Sequence, residues 1–281
     1  MQNITTAQEI VRQVRDLPSL PAVVAELLAC SAQEDFDLQA LADKISLDQA
    51  LAAKTLRLAN SSFYGMQSQV TNMRQAIAVL GLRSVRMLVA ACAVTGSFAP
   101  VPGSSFDFQL FWRHSVGTAV VARALAPHLG LDPESAFIAG LLHDLGCLVL
   151  ATGQAQANEA VLAYRAEHDC QLVEAEQAVL GFDHAQVGSA LVAHWKFPAE
   201  IQAAVAAHHD ASSCIKRALP LLVHTANIMA HALDLSGAED DLVPPLSELA
   251  WAALNLSDPT CLQVFRETDS AFQDMCTILL G

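Results

Sequence analysis

Two polar residues, His143 and Asp144, lie side by side within an apolar run that extends from Ala139 to Leu150. An ionised carboxylate in such surroundings costs several kcal/mol to bury unless it is paired or hydrogen-bonded. The pair therefore requires a partner in the folded chain, which can be a metal ion, a cationic group or a network of hydrogen bonds. A fold for this chain has to bring such a partner to these two side chains.

The pattern of apolar residues predicts helices throughout the chain. The sequence is 53% hydrophobic and 16% charged, and its apolar positions recur at helical spacing without the alternation typical of strands. We therefore predict an all-α, multi-helical fold, in which Asp48 caps one helix and Gly81 interrupts another. The predicted helices cover residues 5–16, 22–30, 37–46, 48–58, 73–84, 107–128, 132–150, 155–168, 171–180, 183–194, 198–208, 215–234, 246–256 and 258–280.

A segment rich in Pro, Gly and Ser at residues 97–107 divides the chain into two parts. Residues 1–100 carry eight basic and eight acidic side chains, whereas residues 101–281 carry seven basic and twenty-one acidic ones. We predict an N-terminal helical subdomain over residues 1–100. A second, HD-like helical subdomain is expected over residues 107–281, including the C-terminal helix.

The acidic second part argues against nucleic-acid binding, because it repels a phosphate backbone. Two features of the first part leave a local alternative open. One is the pair of short helices meeting at Gly81, which suggests a helix-turn-helix, although no dense basic recognition helix accompanies it. The other is a set of basic residues that forms either a basic patch or, more simply, a solvated helix face. These residues are Lys54, Arg57, Arg74, Arg83 and Arg86.

Cysteine usage and the apolar stretches indicate a cytoplasmic protein. The seven cysteines are odd in number, scattered and without a CxxC pair, which is typical of buried thiols in a reducing compartment. The N-terminus lacks the basic and apolar regions of a signal peptide. The apolar stretches at 85–94 and 136–151 are too short or are interrupted by the polar pair, so we expect no membrane span.

Histidines are abundant for a chain with so few charged residues, at ten in 281 residues. Any one of them is more simply a hydrogen-bonded imidazole of the core or surface. Imidazoles together with a carboxylate suit zinc, iron, manganese and similar divalent ions, and a carboxylate can bridge two ions in phosphoryl hydrolysis. The candidate positions are a helix start at His114, a mid-helix pair at His143 and Asp144, a helix start at His184, a helix end at His208 and His209, and one helix turn between His224 and Asn227.

These positions resemble the HD superfamily of metal-dependent phosphohydrolases, whose name-giving dyad matches His143-Asp144. The first part of the chain is similar, more narrowly, to the HDOD domain, a branch found in bacterial signalling proteins. The resemblance covers roughly residues 8–235 and leaves the residues that follow outside it. In the first part it rests on the motifs Leu17-Pro18-Ser19-Leu20-Pro21, Ile45-Ser46-Leu47-Asp48, Leu56 to Ser61 with Phe63 and Gly65, and Ala76-Ile77 before Leu80-Gly81.

The resemblance implies two adjoining ion sites that share Asp144. The implied ligands are His114, His143 and Asp144 for the first ion, and Asp144, His184, His208 and His209 for the second. In an active enzyme, Asp144 and His143 would be the catalytic residues. Asn227 stands where active relatives have a further aspartate, so it would coordinate weakly and without charge.

Other departures from active relatives also indicate a partly degenerate site. Cys147 stands where active relatives often carry a basic residue suited to holding a phosphate. The sequence after His209 lacks the Gly-Tyr-Pro signature of the branch that hydrolyses cyclic di-GMP. One carboxylate with neutral imidazoles leaves much of the charge of two divalent ions uncompensated, so we expect metal affinity to fall.

Two functions from different classes follow. The first is a signalling or regulatory module with a partly degenerate metal site, which acts by binding protein partners or a ligand. The second is a metal-dependent phosphohydrolase that acts on a nucleotide or another phosphoester. The cofactor would be iron, manganese, zinc or magnesium, as one ion, two ions or none, and an ion kept for structure or sensing is the intermediate case. The sequence leaves open whether the first part closes over the HD pocket.

Overall fold

The computed structural model describes residues 20–29, 38–61, 64–65, 69–98, 106–210, 212, 217–239 and 241–280. Every regular element among these residues is a helix, which confirms the predicted all-α fold. Several features of the sequence lie outside the described residues: the predicted helix at 5–16, the motif residues Leu17, Pro18, Ser19 and Phe63, and the cysteines Cys30 and Cys214.

The helices form two groups along the chain, before and after residues 99–105. The first group contains α1 (Ala22–Ala29), α2 (Leu38–Leu47), α3 (Gln49–Ala59) and α4 (Met73–Ser97). The second group contains α5 (Phe108–Leu125), a 3₁₀ turn (Ala126–Leu129), α6 (Pro133–Leu142), α7 (Leu145–Gly153), α8 (Ala155–His168), α9 (Leu172–Leu180), α10 (His184–His194), α11 (Ala199–Ala207), α12 (Ala218–Ala232), α13 (Glu248–Leu254) and α14 (Asp258–Leu280).

The apolar stretch that holds the HD pair forms two helices rather than the single helix predicted over 132–150. α6 ends at Leu142 and α7 begins at Leu145, with Asp144 at the N-cap position. The carbonyl of Asp144 accepts a tight-turn hydrogen bond from the backbone N–H of Cys147 at 2.8 Å. The mid-helix placement was therefore wrong. The turn lets two adjacent side chains face one point, whereas neighbours on a continuous helix do not face each other.

The start of α5 also differs from the prediction for His114. Asp107 caps this helix by accepting hydrogen bonds from the backbone N–H groups of Gln109 and Leu110, at 2.8 and 2.9 Å. His114 therefore lies in the second turn of α5 and does not open the helix. At this position in the helix, the ring of His114 lies on the buried face.

Two local signals in the first group are confirmed. The carboxylate of Asp48 caps α3 by accepting a hydrogen bond from the backbone N–H of Leu51 at 3.0 Å. α4 is bent at Gly81, where φ is 83° and ψ is 156°. Positive φ favours glycine because it has no Cβ, so the predicted interruption is a bend within one long helical segment.

α5 is the central helix of the fold. It packs against α6, α12 and α14, while α4 of the first group packs against α6. Buried apolar residues of both groups belong to one continuous cluster, which extends from Leu20 to Leu279. The division of the chain at 97–107 stays a prediction about its folding units.

The turn after α3 fixes the first group to the start of α6. The hydroxyl of Tyr64 donates to Oε2 of Glu134 at 2.6 Å, and the guanidinium of Arg123 lies 4.7 Å from the centre of the tyrosine ring. Arg123 also pairs with Glu134 at 3.3 Å. This contact is made at one end of α6, and the HD pair follows the other end.

Two helical stretches are long and apolar enough to cross a membrane, Met73–Ser97 and Pro133–Gly153. Of the most apolar window in each, 56% and 83% is buried inside the fold. Packing in the core accounts for most of their apolar surface.

Candidate metal centre

Five parts of the second group bring the predicted site residues together. The ligand atoms of two sets each lie within 4.8 Å of one another: Asp144, His184, His208 and His209 in one, and His114, His143 and Asp144 in the other. The first set comes from the α6–α7 turn, the start of α10 and the end of α11. The second set comes from α5 and the same turn, and α12 adds Asn227 beside it.

Two glycines allow the helices to approach closely enough to form this site. A Cβ at Gly140 would lie 2.8 Å from Cα of Ala119, so α6 packs directly on the backbone of α5. A Cβ at Gly146 would overlap the carbonyl of His184, so the start of α7 rests on the backbone of α10. The HD pair stands between these two contacts, which explains the glycines on both sides of it.

Asp144 is at the centre of the site, and its two carboxylate oxygens face different histidines. Oδ1 lies 3.1 Å from Nε2 of His208 and 3.3 Å from Nε2 of His184. Oδ2 lies 3.2 Å from Nε2 of His143 and 3.6 Å from Nε2 of His114. The side chain of Asp144 is 16% exposed, so the site is buried without being closed.

Each oxygen of Asp144 thus defines one side of the site. The His184 side comprises His184, His208 and His209, in which Nε2 of His209 lies 2.8 Å from Nε2 of His184. The Asn227 side comprises His114, His143 and Asn227, in which Nε2 of His114 lies 2.9 Å from Oδ1 of Asn227.

Backbone carbonyls orient two of the imidazoles. Nδ1 of His143 donates to the carbonyl of Gly140 at 2.7 Å, and Nδ1 of His208 donates to the carbonyl of Val205 at 2.8 Å. Because a carbonyl only accepts, these Nδ1 atoms carry the protons. The Nε2 atoms of both rings therefore face Asp144, which is the orientation that metal-ligating histidines adopt.

His184 is held by a buried carboxylate that the sequence analysis missed. Glu176 is 1% exposed and accepts hydrogen bonds from the backbone N–H of His184 at 2.8 Å and from its Nδ1 at 2.6 Å. Glu176 lies in the apolar stripe of α9, three or four residues from Leu172, Val179 and Leu180. An acidic residue within such a stripe is the signal that could have revealed it.

The donor set of the His184 side fits a divalent cation. The Nε2 lone pair of His208 faces Oδ1 of Asp144, and this oxygen has no aligned hydrogen-bond donor among the described residues. Opposed lone pairs in a buried site are unfavourable, and a cation between them removes the repulsion. Imidazole and carboxylate are ligands that zinc, iron and manganese accept.

The Asn227 side is less prepared for a cation. Oδ1 of Asn227 only accepts, so the short contact to His114 requires a proton on Nε2 of that ring. Nδ1 of His114 is buried without a partner in the described part of the chain. If Nε2 bound an ion, the proton would move to Nδ1 and become a buried unsatisfied donor, at a cost of about 1–3 kcal/mol.

Three of the site histidines are held in the neutral form. Burial, together with the neighbouring His231, lowers the pKa of His114 to about 3. Burial lowers the pKa of His208 to about 4 and lowers the pKa of His209 still further. Neutral imidazole is the form that ligates a metal ion, so these rings are available at neutral pH.

His184 and Asp144 carry charge in the absence of an ion. Burial acts to lower the pKa of His184, but the carboxylates of Glu176 and Asp144 outweigh it and hold that pKa well above its usual range. Burial acts to raise the pKa of Asp144, but His143 and the other neighbouring imidazoles, in their protonated form, hold it well below its usual range. Without a metal, the protonated ring of His184 therefore lies between the carboxylates of Glu176 and Asp144.

Cys147 lies beside the pair formed by Glu176 and His184, with its sulfur within 4.8 Å of their nearest ligand atoms. The side chain is buried, and burial raises the pKa of its thiol to about 12. A neutral buried thiol offers no charge to a phosphate, so the structure gives this position no phosphate-binding group.

Two further residues extend the Asn227 side and were not predicted as site residues. The ring of His231 lies 4.2 Å from that of His114, measured between centroids, and its Nδ1 lies 2.7 Å from Oδ1 of Asp241. Asp241 follows α12 in an irregular segment, where no periodic pattern could have revealed it. His224, one turn from Asn227, donates from Nδ1 to the carbonyl of His208 at 2.7 Å and so supports the turn after α11.

The HDOD domain model matches residues 17–211, which is more than half of the chain. The chain belongs to the HDOD domain family. The matched region contains every residue of the His184 side and also His114 and His143, whereas Asn227 lies beyond its end.

Individual relatives are distant but match over much of the chain. A protein of Treponema pallidum (strain Nichols) is 25% identical over 237 residues, which are 83% of this chain and 46% of that protein. The chain thus spans about half the length of this curated relative.

Two solved structures share the fold over almost the whole chain. A candidate phosphohydrolase from Shewanella amazonensis SB2B is 28% identical, with a TM-score of 0.75 over 99% of this chain and 100% of that one. An HDOD domain protein of unknown function from Geobacter sulfurreducens is 25% identical, with a TM-score of 0.77 over 97% of this chain and 95% of that one. The similarity extends through helices that follow residue 211.

Proposed function

We propose that this chain is a signalling module of the HDOD family that holds one divalent ion on its His184 side. It acts by binding a partner rather than by turning over a substrate. The contrast at Asp144 carries the proposal. Oδ1 faces two imidazoles that are oriented through Nδ1, His184 and His208. Oδ2 faces one such imidazole, His143, together with His114, whose Nε2 is hydrogen-bonded to the amide of Asn227.

Charge balance supports one ion rather than two. Asp144 and Glu176 both contact His184, and their two negative charges match one divalent cation. A second ion would add two positive charges on the Asn227 side, where Asn227 supplies no negative charge to compensate them. The additional carboxylate of Asp241 reaches that side only through the ring of His231. Uncompensated buried charge costs several kcal/mol, which disfavours the second ion.

The residues of the His184 side have distinct roles in this proposal. Oδ1 of Asp144 and the Nε2 atoms of His184 and His208 would hold the ion, with His209 completing the set. Glu176 fixes the ring of His184 and compensates charge. A bound ion would supply a positive centre that can hold an anionic group of a ligand. None of these residues is free to act as a general acid, which favours binding over turnover.

The partners we infer are proteins of a bacterial signalling pathway in the cytoplasm. The HDOD resemblance supports this class of partner, and the burial of more than half of each long apolar stretch supports a location away from membranes. A phosphorylated small molecule or nucleotide is the ligand class that a partly exposed cation would accept. The acidic second part disfavours nucleic acid.

A metal-dependent phosphohydrolase acting on a nucleotide or another phosphoester is the second candidate function. The similarity to the candidate phosphohydrolase of Shewanella amazonensis over almost the whole chain favours it. The retained histidines on both sides of Asp144 also favour it. In that case Asp144 and His143 would be the catalytic residues.

Elemental mass spectrometry on untagged protein, purified without added metal and again after loading with manganese, iron or zinc, tests the proposal. We expect one ion per chain in the wild type and none in His208→Ala, with no hydrolysis of bis(p-nitrophenyl) phosphate or of nucleotides. Two ions per chain together with turnover would support the phosphohydrolase instead. No bound ion after loading with any of the three metals would contradict the one-ion site.

A further inference from the structure

A cavity of about 730 Å³ lies outside the metal centre, where the two groups of helices meet. α3 supplies Lys54, α4 supplies Thr95, α5 supplies Trp112 and Arg113, and α14 supplies Gln273. Its volume is within the range of about 300–1,000 Å³ that is usual for small-molecule sites. Cavities at junctions between structural units are also a preferred place for such sites.

The charge of this cavity is opposite to that of the chain. Lys54 and Arg113 line it, and no acidic side chain does so among the described residues. The chain as a whole has 29 acidic residues against 15 basic ones. A cavity that gathers two cations and no acid in such a chain favours an anionic occupant.

Lys54 is held without a carboxylate partner in the part of the chain that the structure describes. Its Nζ donates to Oγ1 of Thr95 at 3.2 Å, and Thr95 in turn donates to the carbonyl of Ala91 at 3.0 Å. Burial lowers the pKa of Lys54, because the charged ammonium loses part of its hydration. A neutral hydroxyl compensates this cost only in part, whereas an anion in the cavity would compensate it fully.

Arg113 contributes a second positive charge that is fixed in place. Its Nε and Nη2 donate to the carbonyls of Ser236 and Leu235 at 3.0 and 3.2 Å. Its guanidinium lies 5.1 Å from the centre of the Phe272 ring. These partners are neutral, so the charge of Arg113 adds to that of Lys54 at the cavity.

The wall beside the two cations is aromatic. Phe98, Phe108 and Trp112 line it, with the rings of Phe98 and Trp112 6.5 Å apart at an angle of 57°. Trp112 is 5% exposed and Phe98 is 9% exposed, so both rings are held by packing. A rigid aromatic wall binds a flat apolar group without ordering flexible side chains.

We propose that this cavity binds a small organic anion with a flat aromatic body, whose anionic group pairs with Lys54 and whose ring lies against Phe98, Phe108 and Trp112. The cavity and the metal centre share α5, on which Arg113 directly precedes His114. This site does not depend on the metal ion. It would give the module a site for sensing a small-molecule ligand at the junction of its two helical groups.

Isothermal titration calorimetry with 2-naphthoate and with its neutral analogue 2-naphthalenemethanol tests this proposal. The full chain is first freed of metal, so that the carboxylate cannot bind an ion at Asp144. We expect the wild type to bind 2-naphthoate at least about tenfold more tightly than the alcohol, as a charge-assisted hydrogen bond provides. Lys54→Met should remove this preference and leave the affinity for the alcohol unchanged.

Two further variants make the outcome decisive. Lys44→Met, which removes an exposed lysine paired with Glu26, should keep the preference. Gln273→Glu adds an acid on the exposed rim of the cavity and should weaken naphthoate binding selectively, even if Lys54→Met does not fold. Equal affinities for the two probes, an unchanged preference in Gln273→Glu, or no binding at millimolar concentration would each overturn the proposal.

Discussion

On the His184 side of Asp144, the rings of His184 and His208 are each held at Nδ1 by an acceptor, a carboxylate at 2.6 Å and a carbonyl at 2.8 Å. On the Asn227 side, Nδ1 of His114 has no partner among the described residues, and its Nε2 is hydrogen-bonded to an amide. Both sides keep histidines at positions typical of the HD superfamily. The orientation of their lone pairs and the nearby charge, rather than residue type alone, decide which side is prepared for an ion.

The largest difference is expected when one histidine is removed from each side. His208→Ala deletes an oriented ligand on the His184 side and should weaken manganese binding by more than about 100-fold. This loss exceeds the loss of affinity that is typical when a residue supporting a ligand from outside is removed. His114→Ala should change that affinity by less than about threefold, since its Nε2 is already engaged with Asn227. Titration of each metal-free variant with Mn²⁺, followed by electron paramagnetic resonance of the free ion, measures both. Equal losses would remove the contrast between the two sides.

Removing the charge behind His184 is expected to have the next largest effect. Glu176→Gln keeps an amide oxygen that can accept from Nδ1 but removes the negative charge, so the affinity for Mn²⁺ should fall by about 10–100-fold. Glu167→Gln, on the exposed surface of α8, is the matched control and should not change it. The same titration measures both variants. An unchanged affinity in Glu176→Gln would show that Glu176 does not compensate the charge of the ion.

Adding a charge to the Asn227 side should affect stability in a metal-dependent way. Asn227 is 2% exposed, so Asn227→Asp buries a second carboxylate close to Asp144 and should destabilise the metal-free protein by about 1–3 kcal/mol. Saturating Mn²⁺ should reverse most of this loss. Thermal unfolding with and without the ion measures the effect, and Gln156→Glu on the exposed start of α8 is the control. If metal-free Asn227→Asp were as stable as the metal-free wild type, this would contradict the view that residue 227 lies in a buried environment without a compensating cation.

The smallest effect on metal affinity in the wild-type background is expected for Asp241, which supports the Asn227 side through His231. Asp241→Asn weakens the support of His231, whose ring lies 4.2 Å from that of His114, and should leave the wild-type affinity for Mn²⁺ within about twofold. In the Asn227→Asp background the same change should lower the affinity for a second ion by about tenfold, because the carboxylate that supports His231 is lost. Calorimetric titration of the single and double variants resolves the two cases. A large effect in the wild-type background would place an ion on the Asn227 side.

Much of the fold could be predicted because helix patterns are local. Apolar spacing placed most described helices within a few residues of their observed ends, and the cap residue Asp48 marked a helix start. The break at His143 and Asp144 was missed because the apolar run continues unchanged through it. That turn depends on the contact of Gly146 with the backbone of α10, which no local pattern contains.

The sequence predicted the histidines and the aspartate that converge in the candidate site, but it did not predict the residues that support them. The HD resemblance named the histidines that converge on Asp144, which the structure brings within 4.8 Å of it in two sets. Glu176 and Asp241 act through contacts across helices or from an irregular segment, so sequence spacing does not reveal their partners. The difference between the two sides of Asp144 arises from these supports, and it became visible only with the hydrogen bonds of the folded chain.

The most direct test of the one-ion site is the number of manganese ions bound at saturation by the wild type and by Asn227→Asp. We expect one ion per chain in the wild type, with the spectrum of an isolated Mn²⁺ ion in electron paramagnetic resonance. Asn227→Asp should bind two ions per chain, with the altered spectrum of a coupled pair bridged by Asp144. Two ions in the wild type, or a single ion displaced by His114→Ala and retained in His208→Ala, would contradict the assignment of the ion to the His184 side.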